Sequence, residues 1–143
     1  MIHRLSHHIA RFQRDLSGAV AVEFVLIAPI LLTLLFGTVT LGYFIGINHS
    51  VNQLAAGAAR ASVAGLDQTE RNSLADSYLS QVGTRYPLLT AEAVTPIVTF
   101  SGSDPEGITV NVSYAVDGSL LGIANGFLGL GIETIDGSAY LAY

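Results

Sequence analysis

The sequence contains no cysteine, which excludes disulfides and thiolate metal sites. The compartment stays open, because an oxidising space permits disulfides without requiring them. Cations are few as well: six Lys and Arg positions stand against eleven acids, for a net charge of −5. Phosphate binding needs clustered cations, so no nucleic-acid partner is expected. Catalytic groups are equally sparse. There is no GxSxG and no HExxH, and after residue 18 the only histidine is His49. The chain therefore offers no nucleophile with its base and no metal cluster, and it is expected to be no enzyme and to need no cofactor.

The most informative absence is local. Residues 24–47 include no Asp, Glu, Lys, Arg or His. As a helix rising roughly 1.5 Å per residue the run covers about 36 Å, enough for a hydrocarbon core of about 30 Å. It is too long for a secretory h-region of about 7 to 15 residues, and the first small-residue candidate for signal cleavage lies only near residues 54–61. The run reads as a transmembrane helix in contact with the lipid bilayer. Arg4, Arg11 and Arg14 precede it with one acid, Asp15, while Arg60, Arg71 and Arg85 follow among the remaining acids. Because cytoplasmic flanks carry the cations, the N-terminus is expected in the cytoplasm and the C-terminal part across the membrane. His3 and His7 would share a helical face, but no third ligand type is near, and a polar flank is the simpler reading.

Glu23 sits just inside the apolar run. A carboxylate there is unfavourable, and such residues usually have a partner and a role. Two readings stand. In one, the side chain reaches the headgroups. In the other, Gly18 is an extended, accessible point ahead of the helix, and the chain is cut after it. Cleavage would create an amine on Ala19, mostly charged at pH 7 given a reference pKa of about 7.7–8.0. Amine and carboxylate would lie one turn apart, about 6 Å along the axis. Opposite charges 4 Å apart attract by about 4 kcal/mol at an effective dielectric near 20. With the amine on one subunit and the acid on its neighbour, the pair would set the axial register of a helical bundle. Losing the leader would also remove three arginines, each costing up to about 2.5–3.5 kcal/mol near mid-membrane.

Gly18-Ala19-Val20-Ala21-Val22-Glu23-Phe24, followed by Ala28-Pro29-Ile30-Leu31-Leu32, resembles the N-terminus of type IV pilin-like proteins. More specifically it is similar to the TadE/TadF-like minor pilins, or pseudopilins, of the tight-adherence (Tad, Flp) system. The resemblance implies that a prepilin peptidase cuts after Gly18, and that Glu23, fifth in the mature chain, guides assembly with other pilin subunits and the inner-membrane machinery. The Ala/Arg-rich stretch 55–61 and a small C-terminal domain fit the same pattern. Phe24 stands where major Flp pilins carry Tyr, and the chain is longer than they are, so the resemblance implies a minor subunit supporting adherence and pilus biogenesis. The alternative is an uncleaved, single-span anchor for a binding or scaffold domain.

The remaining expectations concern packing. Thr38, Gly42, Gly46 and Ser50 recur at every fourth residue and continue, after Leu54, as Ala58 and Ser62. The stripe, with its GxxxG at 42–46, reads either as a helix-packing face or as the glycine background common in spans. Pro29 reads as a hinge or as a tolerated kink. The helix pattern persists to about residue 64, with Gly65 closing it. Asp67-Gln68-Thr69-Glu70 has capping-box spacing ahead of a second, short amphipathic helix that Gly83 ends. Residues 93–100 and 108–116 read as a hairpin around a turn holding Asp104 and Glu106, with a third strand in 133–143. The uncharged segment 118–131 either covers the sheet or is a partner surface in which Leu120, Leu121, Phe127 and Leu128 are exposed. The fold class is thus α+β: a leader (1–18), a long N-terminal transmembrane helix (19–64), and a small domain (65–143) holding the short helix and an antiparallel sheet of about three strands.

Overall fold

A computed structural model describes residues 16–102 and 106–143. The arginines and histidines of the leader and Asp104 of the turn lie outside them. The protein is α+β. Helix α1, Leu16–Ser62, is followed by α2, Gln68–Leu79, the short α3, Val82–Arg85, and a 3-10 turn, Ala91–Ala93. Strands β1, Val94–Ser101, and β2, Gly107–Ala115, come next, then helix α4, Leu120–Leu128, and strand β3, Thr134–Ala142.

The chain divides into two compact units, residues 1–39 and 40–143. In the first, the described part is helix, and from Gly18 to Phe36 every residue is exposed except the half-buried Ala28. The helix runs through Pro29, whose carbonyl accepts a hydrogen bond from Thr33 Oγ1 at 2.8 Å. This helix is long and apolar enough to cross a membrane.

In the second unit, α1 becomes one-sided. Ile47, Val51, Leu54, Ala55, Ala58 and Ala59, spaced by three or four, are buried in the core. The sheet is antiparallel in the order β1-β2-β3. Alternation along β2 turns Ile108, Val110, Val112 and Tyr114 to the core and Thr109, Asn111 and Ser113 to the other face. Register sets Val94, Val98 and Phe100 of β1 and Ile135, Ala139 and Leu141 of β3 beside them on the same face. At Gly137 the sheet meets the α1 backbone: an added Cβ would lie 2.8 Å from Val51 Cγ1 and 3.0 Å from Asn52 N.

Local chemistry explains the element ends. Asp67 Oδ1 accepts from Glu70 N at 2.8 Å, and Glu70 Oε2 accepts from Leu66 N at 2.8 Å, so the capping box forms with its return bond one residue early. The amphipathic face buries Ala75 and Leu79. The helix stops at Ser80–Gln81 and not at Gly83, which lies inside α3. Ser80 Oγ and Gln81 Nε2 both donate to Ser77 O, at 2.9 and 3.2 Å, and so compete with the backbone for that carbonyl. Gly65 N donates to Ser62 O at 3.0 Å, but Gly65 is not left-handed. A Cβ there would lie 2.7 Å from Arg71 N, so room, not handedness, requires glycine. The segment 118–131 is largely the helix α4. Ser119 Oγ accepts from Leu121 N and Gly122 N, and Gly129 closes the helix at φ 62°. Only Leu121 of this helix is buried, so it covers little of the sheet, and Leu121 is not part of an exposed surface.

An aromatic contact binds α2 and α3 to α1. A Cβ on Gly57 would overlap the Tyr78 ring, the Tyr78 and Tyr86 hydroxyls are 3.1 Å apart, and Arg85 stacks 4.6 Å from the Tyr78 centroid. Burial and the Tyr78 hydrogen bond push the Tyr86 phenol up to about 12, against the opposing pull of Arg85 and Arg60.

Two outcomes are expected. Gly137→Val should overpack the helix–sheet contact and cost about 1–3 kcal/mol in thermal or denaturant unfolding. Gly126→Ala, in α4 with nothing within 4 Å of the new methyl, should add about 0.4–1 kcal/mol. In addition, absorbance titration should show one of the six tyrosines ionising near 12. The raised value favours the protonated phenol, so its stabilisation is complete below the unfolded pKa of about 10 and is lost as pH rises toward about 12. Tyr78→Phe should lower that ionisation; six tyrosines titrating together near the ordinary value would contradict the contact.

Candidate functional site

The candidate site is the exposed N-terminal part of α1. Gly18 is helical, two residues into the described part of α1, and so is not the extended point that the sequence suggested. Gly18 is exposed with nothing within 4 Å of a would-be Cβ, and Ala19 is exposed beside it.

Glu23 is exposed one turn further on, next to Phe24 at 69% exposure. Its helical neighbours at three and four residues are Ala19, Val20, Leu26 and Ile27, none charged. No side chain at these positions offers Glu23 a countercharge. An exposed acid in an apolar helix surface can receive a cation, bring two helices into register, or reach a polar interface.

The small-residue stripe divides. Gly42 is exposed with open space over it, and Thr38 Oγ1 turns back to Leu34 O at 2.8 Å. Gly46 faces its own domain, with a would-be Cβ 2.9 Å from Leu88 Cδ1, and Ser50 Oγ donates to Gly46 O at 2.8 Å. Ala58 and Ser62 are fully buried in the chain's own core, where Ser62 Oγ donates to Ala59 O at 2.7 Å. Ala58 and Ser62 thus serve packing within the chain. Sequence reasoning missed Gly57, the position pressed hardest by a neighbour. The signal was present, because a glycine inside an Ala-rich helix costs about 1 kcal/mol relative to Ala and asks for a reason.

The other candidates are local. His49 Nε2 lies 2.6 Å from Gln53 Nε2 on the exposed side of α1. Among the described residues no three His, Asp or Glu converge as metal ligands.

A family model described as TadE-like protein matches residues 18–60. The matched segment runs from Gly18 through Glu23 to the Ala-rich turn of α1; the sheet lies beyond it. No curated protein and no solved structure matches the chain.

The division of the stripe is testable. Ala58→Leu should destabilise the folded domain by about 1–3 kcal/mol through overpacking. Gly42→Leu, with nothing within 4 Å of a new Cβ, should not destabilise it and should add up to about 1 kcal/mol of helix propensity. Equal effects on stability would contradict the split.

Proposed function

From a chain whose residues 18–60 are TadE-like, we propose that this protein is a minor pilin-like subunit of a Tad-type pilus system. A prepilin peptidase removes the basic leader after Gly18, and the chain enters a pilus or its initiating complex through α1. One observation carries the reading: Glu23 stands on an exposed apolar helix surface, one turn from Ala19, with no charged neighbour along the helix. The free amine of Ala19 on an adjoining subunit satisfies it, and Phe24 packs beside that contact. The exposed apolar surface of residues 18–36, with Gly42 above it, meets lipid before assembly and other pilin helices after it. The N-terminus faces the cytoplasm, the C-terminal domain faces the periplasm, and inner-membrane assembly machinery extracts the cleaved subunit. The role is structural, supporting pilus biogenesis and adherence.

A second reading has one observation in its favour. Ala58 and Ser62 are consumed by the chain's own core, which shortens the face left for other helices and suits an uncleaved single-span anchor for a binding or scaffold domain.

Mass spectrometry of protein from cells containing the peptidase should find an N-terminus at Ala19. Gly18→Ala should abolish processing, whereas Glu23→Ala should allow processing and lose assembly. An unprocessed N-terminus in assembled material, or pili and base complexes that form equally well with Glu23→Ala, would overturn the pilin reading and leave the anchor.

A further inference from the structure

Helix α4 presents its apolar face outward. Its inward contacts are Leu121, 1% exposed, Gly122 against Val116 O, and Asn125, whose amide bonds Ile132 N and O at 3.2 and 3.0 Å. Leu120, Ile123 and Phe127 share the opposite face at helical spacing and are 58, 68 and 92% exposed. Leu128 and Leu130 are also exposed, and no charged residue occurs between Asp117 and Glu133.

The position of this helix in the domain says what covers it. Ser119 N and Oγ both donate to Val116 O, at 3.1 and 2.6 Å, so α4 starts directly where β2 ends. That end of the sheet carries Tyr114, with Tyr43 of α1 beside it, and Gly137, opposite Val112 further along, meets α1 at Val51 and Asn52. The opposite end of the sheet carries Tyr143, whose ring lies 3.7 Å from the Arg71 guanidinium, and Arg71 Nε in turn bonds Gly65 O beyond the end of α1. Helix α4 is therefore level with residues 40–47, the last of the apolar run, and far from the polar end of the domain. Leu88, exposed and against Gly46, is at the same level. Leu41 and Ile45 of α1 are exposed there too.

We propose that α4 and Leu88 rest in the headgroup and upper acyl layer of the leaflet that residues 40–47 cross, so that lipid covers their outward face. Leu41 and Ile45 of α1 and the outward residues of α4 are all exposed and apolar, and α4 itself carries no charged residue. With no Lys or Arg in residues 118–132, the docking is apolar burial, insensitive to anionic lipid and to salt. The proposal rests on α1 being a membrane span and is independent of leader cleavage.

The sequence has no tryptophan, so single-tryptophan variants report without background. Full-length Phe127→Trp, Ile123→Trp, Leu66→Trp and Phe36→Trp are reconstituted in phosphatidylcholine vesicles, with and without phosphatidylglycerol. Lipids brominated near the headgroup or near the chain terminus serve as quenchers. Phe127→Trp and Ile123→Trp should emit at blue-shifted wavelengths and lose most of their emission to the shallow quencher, equally at low and high salt. Leu66→Trp, 91% exposed at the polar end, should be unquenched, and Phe36→Trp should be quenched by the deep bromines. If the α4 variants match Leu66→Trp while Phe36→Trp is quenched, the docking is refuted and the span stands. If Phe36→Trp is unquenched, the span reading falls and the docking falls with it. A blue shift without quenching that grows with protein-to-lipid ratio would show a second copy covering α4 and overturn the proposal.

Discussion

The structure depends on one helix having to satisfy two surroundings. From Gly18 to Phe36, α1 is exposed all round and almost wholly apolar, which only lipid or other apolar helices can accommodate. In the second unit it buries Ile47, Val51 and Leu54 completely. Burying such side chains contributes about 1.5–3 kcal/mol each relative to leaving them exposed. The sheet is what makes this burial possible, and the alternation of β2 is what gives the sheet an apolar face to offer. Remove that match and the lower part of α1 would be a second apolar helix without a partner.

Close contact between helix and sheet comes from small residues on both sides. Ala55, Ala58 and Ala59 keep the α1 surface low, and Gly137 lets β3 approach the backbone at Val51 and Asn52. Gly57 does the same for the Tyr78 ring, and the Tyr78–Tyr86 hydroxyl pair with Arg85 stacked on it gives that wedge a fixed orientation. The spacing of small residues along α1 therefore has two causes in one helix. Near residue 42 it leaves a surface open; from Gly46 onward it makes room for the chain's own domain.

Much of this was legible in the residues. The charge-free run, the strict alternation around Val110 and Val112, the turn-rich segment between the first two strands, and Asp67 ahead of α2 are each local signals with one physical outcome. The misses are places where two signals compete. Segment 118–131 was given no element, because its five glycines mask a helix that Ser119 as N-cap and Gly129 as left-handed cap delimit. Gly83 looked like a helix end, but side-chain bonds to Ser77 O broke the helix earlier. A repeat of small residues cannot tell an intermolecular face from an intramolecular one, because both need the same close approach.

The apolar run ends at Ile47, and Ile47 is already a fully buried core residue of the folded domain, with Tyr43 and Phe44 packed against the same core. The last part of the run therefore belongs to the domain itself, and no polar spacer separates lipid-facing chain from folded chain. If residues 40–47 cross a leaflet, as proposed, the domain's near end has to be compatible with lipid at that depth. An end built of charged loops would be dragged against the bilayer by its own core, whereas the uncharged stretch from Gly118 to Ile132 meets that constraint. Three acids do stand at that end, Asp117 and Glu133 flanking the apolar helix and Glu92 just ahead of β1, while Glu106 lies at the far end of the sheet, where Tyr143 N bonds its carbonyl at 3.0 Å.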